Sequence, residues 1–218
     1  MKKIPTLFIR DQQTGLVTSE VNQECLWVAQ GFGTPTRKLD GTACMVRDGK
    51  LYKRHEVKPG GKPPANFELA DFDEVTGKQQ GWVPVGDGPE DKWHREALAF
   101  NTGNTICGAP LTAVDLSFNS LPDGTYELCG PKVQGNPEKF EYHELVTHGI
   151  ARFAPFDAGR VDNGGTWISE CPRTLEGIRN FLLVHDIEGI VFWRDPSDPD
   201  CDKCKVKKRD FGLRRSKK

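Results

Sequence analysis

The sequence has no uninterrupted apolar run of the roughly 20 residues that a membrane-spanning helix needs. It also lacks an apolar N-terminal segment, because Arg10, Asp11 and the polar residues after them interrupt the stretch where a secretory signal would lie. Its seven cysteines are an odd number spread along the chain, which argues against a disulfide framework. These absences predict a soluble, cytoplasmic protein of one or two small domains over 218 residues.

A structural zinc site is also not predicted. Cys201-Asp202-Lys203-Cys204 has the spacing of two zinc ligands. No second pair of cysteine or histidine residues with suitable spacing accompanies it. Four ligands are needed for such a site, so Cys201 and Cys204 alone do not predict one.

The net charge of −1 hides an uneven distribution. Residues 203–218 carry nine Lys or Arg against a single acid, Asp210, so this segment has a net charge of +8 and the other 202 residues have −9. A basic end on an acidic body suits a polyanionic partner, because each neutralised phosphate releases counterions. A solubilising tail is the alternative interpretation.

Short strand-like runs separated by Gly, Pro and Asp turns predict an α+β fold. Asp48-Gly49 lies between two such runs and predicts a hairpin in which the numbers of paired residues sum to 97, so that Arg54 faces Ala43. Two helices are also expected. Their apolar stripes are Trp93, Ala97 and Phe100 after Pro89, and Leu175, Ile178, Phe181 and Leu182 after Thr174.

Three separated motifs have the residues that nucleotide transfer through a lysine requires. Such a lysine needs a carboxylate to position it or its metal, and cations that hold the phosphate oxygens as charge moves onto the leaving pyrophosphate. Lys38 in Lys38-Leu39-Asp40-Gly41 is the candidate nucleophile, Glu188 is the carboxylate, and Lys205 and Lys207 are the cations. A Lys-x-Asp-Gly tetrapeptide alone is a weak signal, but the ordered set predicts a covalent nucleotidyltransferase.

The residues around Lys38 have predicted roles as well. An unperturbed lysine titrates near ~10.4, so nearby cations such as Lys205, Lys207 and bound Mg²⁺ are expected to lower the pKa of Lys38. Asp40 is expected to accept a hydrogen bond from a ribose or to lie near the metal. Gly41 permits a close approach of the backbone to a nucleotide.

Strand alternation assigns faces to three further segments. In Thr125–Gly130, Glu127 and Cys129 are predicted to face the cleft while Tyr126 and Leu128 pack inside. The run after Glu188 is apolar on both faces, which predicts a central strand led by a carboxylate that must meet a cation or a metal. Between Cys204 and Arg209, one face is predicted to carry Lys205, Lys207 and Arg209, and the other Val206 and Lys208.

The ordered motifs resemble those of the ATP-dependent nucleic-acid ligases, and most of all the small 5′-3′ RNA ligase 1 family. The resemblance covers the chain from Lys38 to Leu213. Its matching segments are Arg37–Thr42, Gly81–Val85, Trp93-His94, Tyr126–Gly130, Gly135–Pro137, His143–Gly149, Ile187–Trp193, Lys205–Lys207 and Phe211–Leu213.

The resemblance implies a nucleotidyltransferase core, similar to that of ATP-grasp ligases, in which two antiparallel sheets flanked by a few helices surround the nucleotide. It implies a single domain over residues 1–213 followed by a basic tail over 214–218. DNA ligases and capping enzymes usually append an oligonucleotide-binding barrel after the last lysine motif. Only residues 208–218 remain there, so no such barrel is expected.

The resemblance further implies an ATP-dependent RNA ligase that joins RNA 5′-phosphate and 3′-hydroxyl ends through a lysyl-AMP intermediate, with ATP and Mg²⁺ or Mn²⁺. The implied nucleotide-binding residues are Lys38, Asp40, Gly41, Arg54, Glu127, Tyr142, His143, Glu188, Lys205 and Lys207, with Tyr142 or His143 stacking on adenine. The implied metal ligands are Glu188, Glu127 and Asp40, and the implied RNA-binding residues are Arg54, Lys208, Arg209, Arg214 and Arg215. A DNA ligase, a capping-type guanylyltransferase and a non-catalytic RNA-end-binding protein are the open alternatives.

Overall fold

The structure is a computed structural model that describes residues 3–102, 121–148, 171–196, 198 and 200–215. It divides into two compact units. Unit 1 comprises the described residues of Asp40–His148, and unit 2 comprises Lys3–Leu39 with the described residues from 171 to 215. The single domain predicted over residues 1–213 stays a prediction, and each unit has a hydrophobic core of its own.

The described elements confirm the α+β class. The strands are β1 (Phe8–Arg10), β2 (Val17–Val21), β3 (Thr34–Lys38), β4 (Thr42–Arg47), β5 (Lys50–Val57), β6 (Glu68–Asp73), β7 (Lys78–Pro84), β8 (Gly124–Cys129), β9 (Glu144–Thr147), β10 (Gly189–Trp193) and β11 (Lys203–Lys207). The α-helices are α1 (Leu26–Ala29), α2 (Lys92–Asn101) and α3 (Leu175–Val184). Short 3-10 helices cover Gln23–Cys25, Pro89–Asp91 and Lys208–Phe211. None of the helices in the described ranges has both the length and the apolar character that a membrane span requires.

Unit 1 is built on a six-stranded antiparallel sheet in the order β6-β7-β5-β4-β8-β9. The predicted hairpin register is confirmed, because β4 and β5 pair from Arg47 with Lys50 to Cys44 with Lys53. The turn residues Asp48 and Gly49 both have positive φ, as a two-residue turn of this kind requires. The expected pair of Ala43 and Arg54 lies one position beyond the pairs that the structure forms.

Helix α2 covers the core of unit 1. It follows the 3-10 turn that begins at Pro89, close to the predicted start, and Ala97 is fully buried in the core cluster. Trp93 packs against the same cluster, as expected from the stripe. Phe100 does not, because its side chain is partly exposed and its ring stacks on Tyr142 with the centroids 5.2 Å apart.

Unit 2 contains a three-stranded antiparallel sheet in the order β11-β10-β3, so the apolar strand β10 is central as predicted. Helix α3 begins after Thr174, whose hydroxyl accepts a hydrogen bond from the backbone N of Gly177, and Ile178 and Leu182 are fully buried. Strands β1 and β2 form a separate two-stranded sheet. The described residues thus form three sheets rather than the two that the resemblance implied.

The C-terminal strand is shorter than the sequence predicted. β11 ends at Lys207, and the next residues form a 3-10 helix, so the alternation expected to reach Arg209 stops two residues earlier. The cause is Asp210, whose carboxylate oxygen Oδ2 accepts a hydrogen bond from the backbone N of Lys207 at 2.8 Å and caps the helix.

A lysine cluster as the candidate active site

Strand register brings the two lysine motifs of unit 2 together. Gly189 of β10 pairs with Lys38 of β3 on one side and with Lys207 of β11 on the other. Residues directly opposite each other in antiparallel strands project from the same face, so Lys38 and Lys207 flank a residue that has no side chain. A Cβ atom added at Gly189 would collide with the carbonyl oxygen of Val206 and lie 2.8 Å from Cα of Lys207. Glycine therefore allows this close approach of strands.

Glu188 joins the two lysines. Its Oε2 contacts Nζ of Lys38, and its Oε1 accepts a hydrogen bond from Nζ of Lys207 at 2.8 Å. Nζ of Lys38 also donates to the carbonyl oxygen of Leu39 at 3.2 Å. The exposed fractions of the Lys38, Glu188 and Lys207 side chains are 21%, 16% and 12%. The prediction that the carboxylate before β10 must meet a cation is confirmed, and two lysines meet it.

Lys205 adds a third ammonium to the same face of β11. It lies two residues before Lys207, and alternation gives the two residues the same direction. Within the described ranges, no carboxylate forms an ion pair with Lys205. Burial, together with the positive charges of Lys207 and Lys38, lowers the pKa of Lys205 to about 8, while Asp210 opposes the shift.

The cluster has more positive than negative charge. With its ammonium groups protonated, Lys38, Lys205 and Lys207 carry three positive charges, and Glu188 supplies one negative charge, which leaves +2. Partly buried charges of one sign are costly when they lack partners, so this cluster favours an anion. Phosphate groups suit it, because lysine binds them as a point charge.

Unit 1 contains the other half of the Lys-x-Asp-Gly motif. The backbone N of Gly41 donates to Oε1 of Glu127 at 3.1 Å, and the backbone N of Asp40 donates to Oε1 of Glu138 at 3.1 Å. A Cβ atom at Gly41 would lie 2.9 Å from Cγ of Glu127 and 3.1 Å from Sγ of Cys129. The two glutamates therefore hold the backbone of Asp40 and Gly41, and the position of Gly41 leaves no space for a side chain.

The predicted alternation of strand β8 is confirmed, and a cleft on the Glu127 side stays a prediction. Tyr126 and Leu128 are buried in the core of unit 1, and Glu127 points to the opposite side, where it contacts Gly41. His148 lies 3.0 Å from Oε2 of Glu127 through Nε2, and 3.1 Å from the Thr125 hydroxyl through Nδ1. A nucleotide or metal contact of Glu127 stays a prediction.

The other predicted nucleotide-binding residues of unit 1 have packing contacts. Arg54 lies over the Trp82 ring at 5.9 Å and contacts Oε1 of Gln80, and burial lowers the pKa of its guanidinium. Tyr142 is 58% exposed, and its ring stacks on that of Phe100.

His143 is held inside unit 1. Its ring stacks on Trp93 with the centroids 4.6 Å apart, Nε2 accepts a hydrogen bond from the backbone N of Lys132 at 3.3 Å, and Nδ1 lies 3.0 Å from Oε2 of Glu96. Burial lowers the pKa of His143, and the Glu96 carboxylate opposes the shift. Of the two candidates for stacking on adenine, His143 is thus buried and Tyr142 is exposed, and the stacking of either on adenine stays a prediction.

Two of the predicted RNA-binding residues have contacts within unit 2, and RNA binding by them stays a prediction. Lys208 is only 6% exposed, and its Nζ lies 3.4 Å from Oδ1 of Asp186. Arg215 donates through Nη2 to the backbone O of Asp186 at 2.9 Å, so the first part of the basic tail is attached to unit 2. Arg209 and Arg214 are exposed and remain candidates for contacts with phosphate.

The described residues do not fit a metal site made by protein ligands alone. Within the described ranges, no group of three or more His, Cys, Asp or Glu side chains is arranged to hold a metal ion. Among the described residues, Glu188 is the carboxylate that contacts the cluster lysines, and both of its oxygens already meet ammonium groups. Cys204 is buried and Cys201 partly exposed, without a further pair of ligands among the described residues.

Sequence reasoning missed Asp210, which contacts the backbone of Lys207, and Arg10, which contacts Asp210. Asp210 and Arg10 form an ion pair with Nη2 of Arg10 2.5 Å from Oδ1 of Asp210, although they are 200 residues apart. Asp210 could have been found, because an acid three residues after Lys207 is a helix-capping signal. Arg10 does not stand in a motif that would single it out.

No model of a known protein family matches the chain, and neither does any curated protein. The chemistry of the cluster and the ordered motifs are therefore the basis for a function.

Proposed function

We propose that the chain is an ATP-dependent RNA ligase in which Lys38 carries AMP. The observation that supports the proposal is the contact of Lys38 and Lys207 with the two oxygens of Glu188, beside Lys205 and with a net charge of +2. A nucleophilic amine, a carboxylate in contact with it and cations without an equal number of acids are the groups that transfer of a nucleotide to lysine requires.

In the proposed first step, Nζ of Lys38 loses a proton and attacks the α-phosphorus of ATP. The new bond joins nitrogen to phosphorus, and the bond from the α-phosphorus to the bridging oxygen breaks, so that pyrophosphate leaves with the electron pair. Oε2 of Glu188 contacts Nζ and is the nearest acceptor for the proton. Lys205 and Lys207 stabilise the charge that develops on the phosphate oxygens.

The later steps follow from the resemblance to RNA ligases. AMP passes from Lys38 to the 5′-phosphate of an RNA end, which gives an anhydride between the two phosphates. A 3′-hydroxyl then attacks the RNA phosphate, a phosphodiester bond forms, and AMP leaves. The divalent ion enters this proposal as the partner of the ATP phosphates, which is the usual setting of Mg²⁺ at such sites.

Covalent labelling tests the proposal. Incubation with Mg²⁺ and ATP labelled at the α-phosphate should leave the label on the denatured wild-type protein. Lys38→Arg should abolish the label, because the guanidinium keeps the positive charge beside Glu188 but is not deprotonated in proteins. Lys203→Ala is the matched control, since Lys203 is on the same strand as Lys205 and Lys207 but packs over the Trp193 ring at 4.5 Å.

Label that persists in Lys38→Arg would refute the assignment of the nucleophile. Label from GTP in place of ATP would favour a capping-type guanylyltransferase. A panel of nicked and single-stranded RNA and DNA ends, incubated with the adenylated protein, separates an RNA ligase from a DNA ligase. RNA binding that is intact in Lys38→Ala, with no label on the wild type, would indicate a non-catalytic RNA-end-binding protein.

A further inference from the structure

Asp210 is a buried carboxylate in the 3-10 helix that follows β11, and it takes no part in the proposed chemistry. Its side chain is 1% exposed. Oδ2 accepts a hydrogen bond from the backbone N of Lys207 at 2.8 Å, and Oδ1 lies 2.5 Å from Nη2 of Arg10. A carboxylate this deeply buried is stable only when its oxygens are satisfied, and here one oxygen meets a cation while the other caps the helix that follows β11.

Strand β11 pairs with β10 on one edge, and on its other edge it forms backbone hydrogen bonds with the N-terminal segment. The backbone N of Lys205 donates to the carbonyl oxygen of Pro5 at 2.9 Å, and the carbonyl oxygen of Lys205 accepts from the backbone N of Leu7 at 2.8 Å. Three residues after Leu7, Arg10 reaches back to Asp210. The segment from Pro5 to Arg10 and the carboxylate of Asp210 therefore fix the backbone at both lysines of β11.

We propose that Asp210 is a positioning residue of the lysine cluster, which with Arg10 fixes the backbone that carries Lys205 and Lys207 and sets the electrostatic surroundings of Lys205 for binding phosphate. The proposal rests on the proposed function for its role in catalysis, but its effect on Lys205 exists in the free protein. Asp210 acts through the two lysines and does not itself touch the reacting atoms.

The charged groups that act on Lys205 come from each element around it. Lys207 on β11, Lys38 on β3 and Arg10 on β1 are positive, and Asp210 is negative. Burial is the largest cause that lowers the pKa of Lys205, the three cations lower it as well, and Asp210 raises it; together they give a pKa of about 8. Removing Asp210 and removing Arg10 must therefore move the titration of Lys205 in opposite directions.

The experiment compares Asp210→Asn, Arg10→Gln and wild type in the full chain. Asparagine keeps an oxygen that can cap the backbone N of Lys207 but loses the charge. Lysines are labelled by ¹³C reductive methylation, the Lys205 signal is assigned with Lys205→Arg, and its titration is followed by NMR. Adenylylation at Lys38 is measured in parallel. Asp202→Asn is the control, because Asp202 forms an exposed pair with Arg194.

The expected pKa of Lys205 is lower in Asp210→Asn than in wild type and higher in Arg10→Gln, each by about half a unit or more, since neighbouring charges shift a pKa by ~1–3 units. Unfolding would move it upward in both variants, towards the value of a free lysine near ~10.4. The downward shift in Asp210→Asn is therefore a change that a purely structural defect does not produce. Adenylylation should fall by about tenfold in Asp210→Asn, since misplacing groups around a reaction costs up to ~10²-fold.

An unchanged titration of Lys205 in Asp210→Asn, or a shift of the same sign in both variants, would overturn the proposal. The two readouts separate it from the proposed function. If the wild type forms no adenylate while the opposite shifts are seen, the ligase proposal fails and the positioning of Lys205 by Asp210 stands. If the wild type is adenylated and the titration does not move, the reverse holds.

Discussion

Glu188→Gln tests whether one carboxylate holds the lysine cluster together. Glutamine has nearly the same shape, but only one of its two terminal atoms accepts hydrogen bonds, so its amide nitrogen must face either Lys38 or Lys207 with hydrogens directed at an ammonium group. The change removes one charge-assisted hydrogen bond, weakens the other, and raises the net charge of the cluster from +2 to +3.

The expected loss of stability follows from these contacts. A hydrogen bond to a charged group contributes ~1.5–3 kcal/mol, and removing one partner of a fully buried ion pair costs ~3–5 kcal/mol. The side chains of Lys38, Glu188 and Lys207 are 21%, 16% and 12% exposed, so water compensates for part of the loss. We expect Glu188→Gln to lower the free energy of unfolding by ~2–4 kcal/mol.

Urea unfolding at pH 7 and low salt measures this loss. Glu20→Gln is the matched control, because Glu20 is exposed on β2 of the same unit and its substitution should change stability by less than ~0.5 kcal/mol. Pyrophosphate should recover more stability in Glu188→Gln than in wild type, since an anion bound only to the folded state stabilises it and the variant has more unbalanced positive charge. A variant as stable as the control, with no greater response to pyrophosphate, would show that Glu188 does not balance the lysines.

Two further predictions concern Gly189 and Lys205. Gly189→Ala should destabilise the protein by ~1–3 kcal/mol or more and reduce adenylylation, because its Cβ would lie 2.8 Å from Cα of Lys207. Gly86→Ala is the control, because its Cβ would meet only Oδ2 of Asp91 at 3.7 Å. Equal unfolding midpoints for the two variants would contradict this steric argument. Lys205→Met should abolish adenylylation yet raise the free energy of unfolding at pH 7 by ~2–3 kcal/mol, because the pKa of Lys205 is lowered from 10.5 to about 8 and its charge therefore opposes folding at neutral pH. Since Lys205 binds a proton less readily in the folded than in the unfolded state, the gain in free energy of unfolding should be greatest below pH 8 and should vanish as the pH rises through about 10.5. A gain that does not change with pH would show that the lowered pKa of Lys205 is not its cause.

The parts of the fold that local sequence determines were predicted correctly. Asp48-Gly49 sets the register of its hairpin because a two-residue turn leaves only one pairing of the adjoining strands. Thr174 marks the start of α3 because its hydroxyl satisfies a backbone N–H of the first turn. The run after Glu188 is apolar on both faces, and a strand of that kind is stable only between two neighbours.

The geometry of the cluster could not be predicted in the same way. Lys38 and Glu188 are 150 residues apart, and no turn connects their strands, so their register depends on packing along the whole sheet. Lys208 shows how two signals compete. Its place in the basic C-terminal segment suggested RNA binding, and alternation placed it with Val206 on the other face of the strand. The structure buries Lys208, but as the first residue of the 3-10 helix after β11, where its Nζ lies 3.4 Å from Oδ1 of Asp186.

Charge balance gives a reason why such a cluster suits a covalent intermediate. The free cluster has a net charge of +2, because three lysines share one carboxylate. In the proposed lysyl-AMP form, Lys38 is no longer a cation and its phosphoramidate carries one negative charge. Lys205 and Lys207 then balance Glu188 and the phosphate, so the net charge becomes zero. Because Glu188 contacts both Lys38 and Lys207, it keeps a cationic partner when Lys38 turns to the nucleotide. If the proposed ligase reaction takes place, the partly buried site loses an unfavourable charge when AMP is bound, and this would favour the loaded protein over the free one.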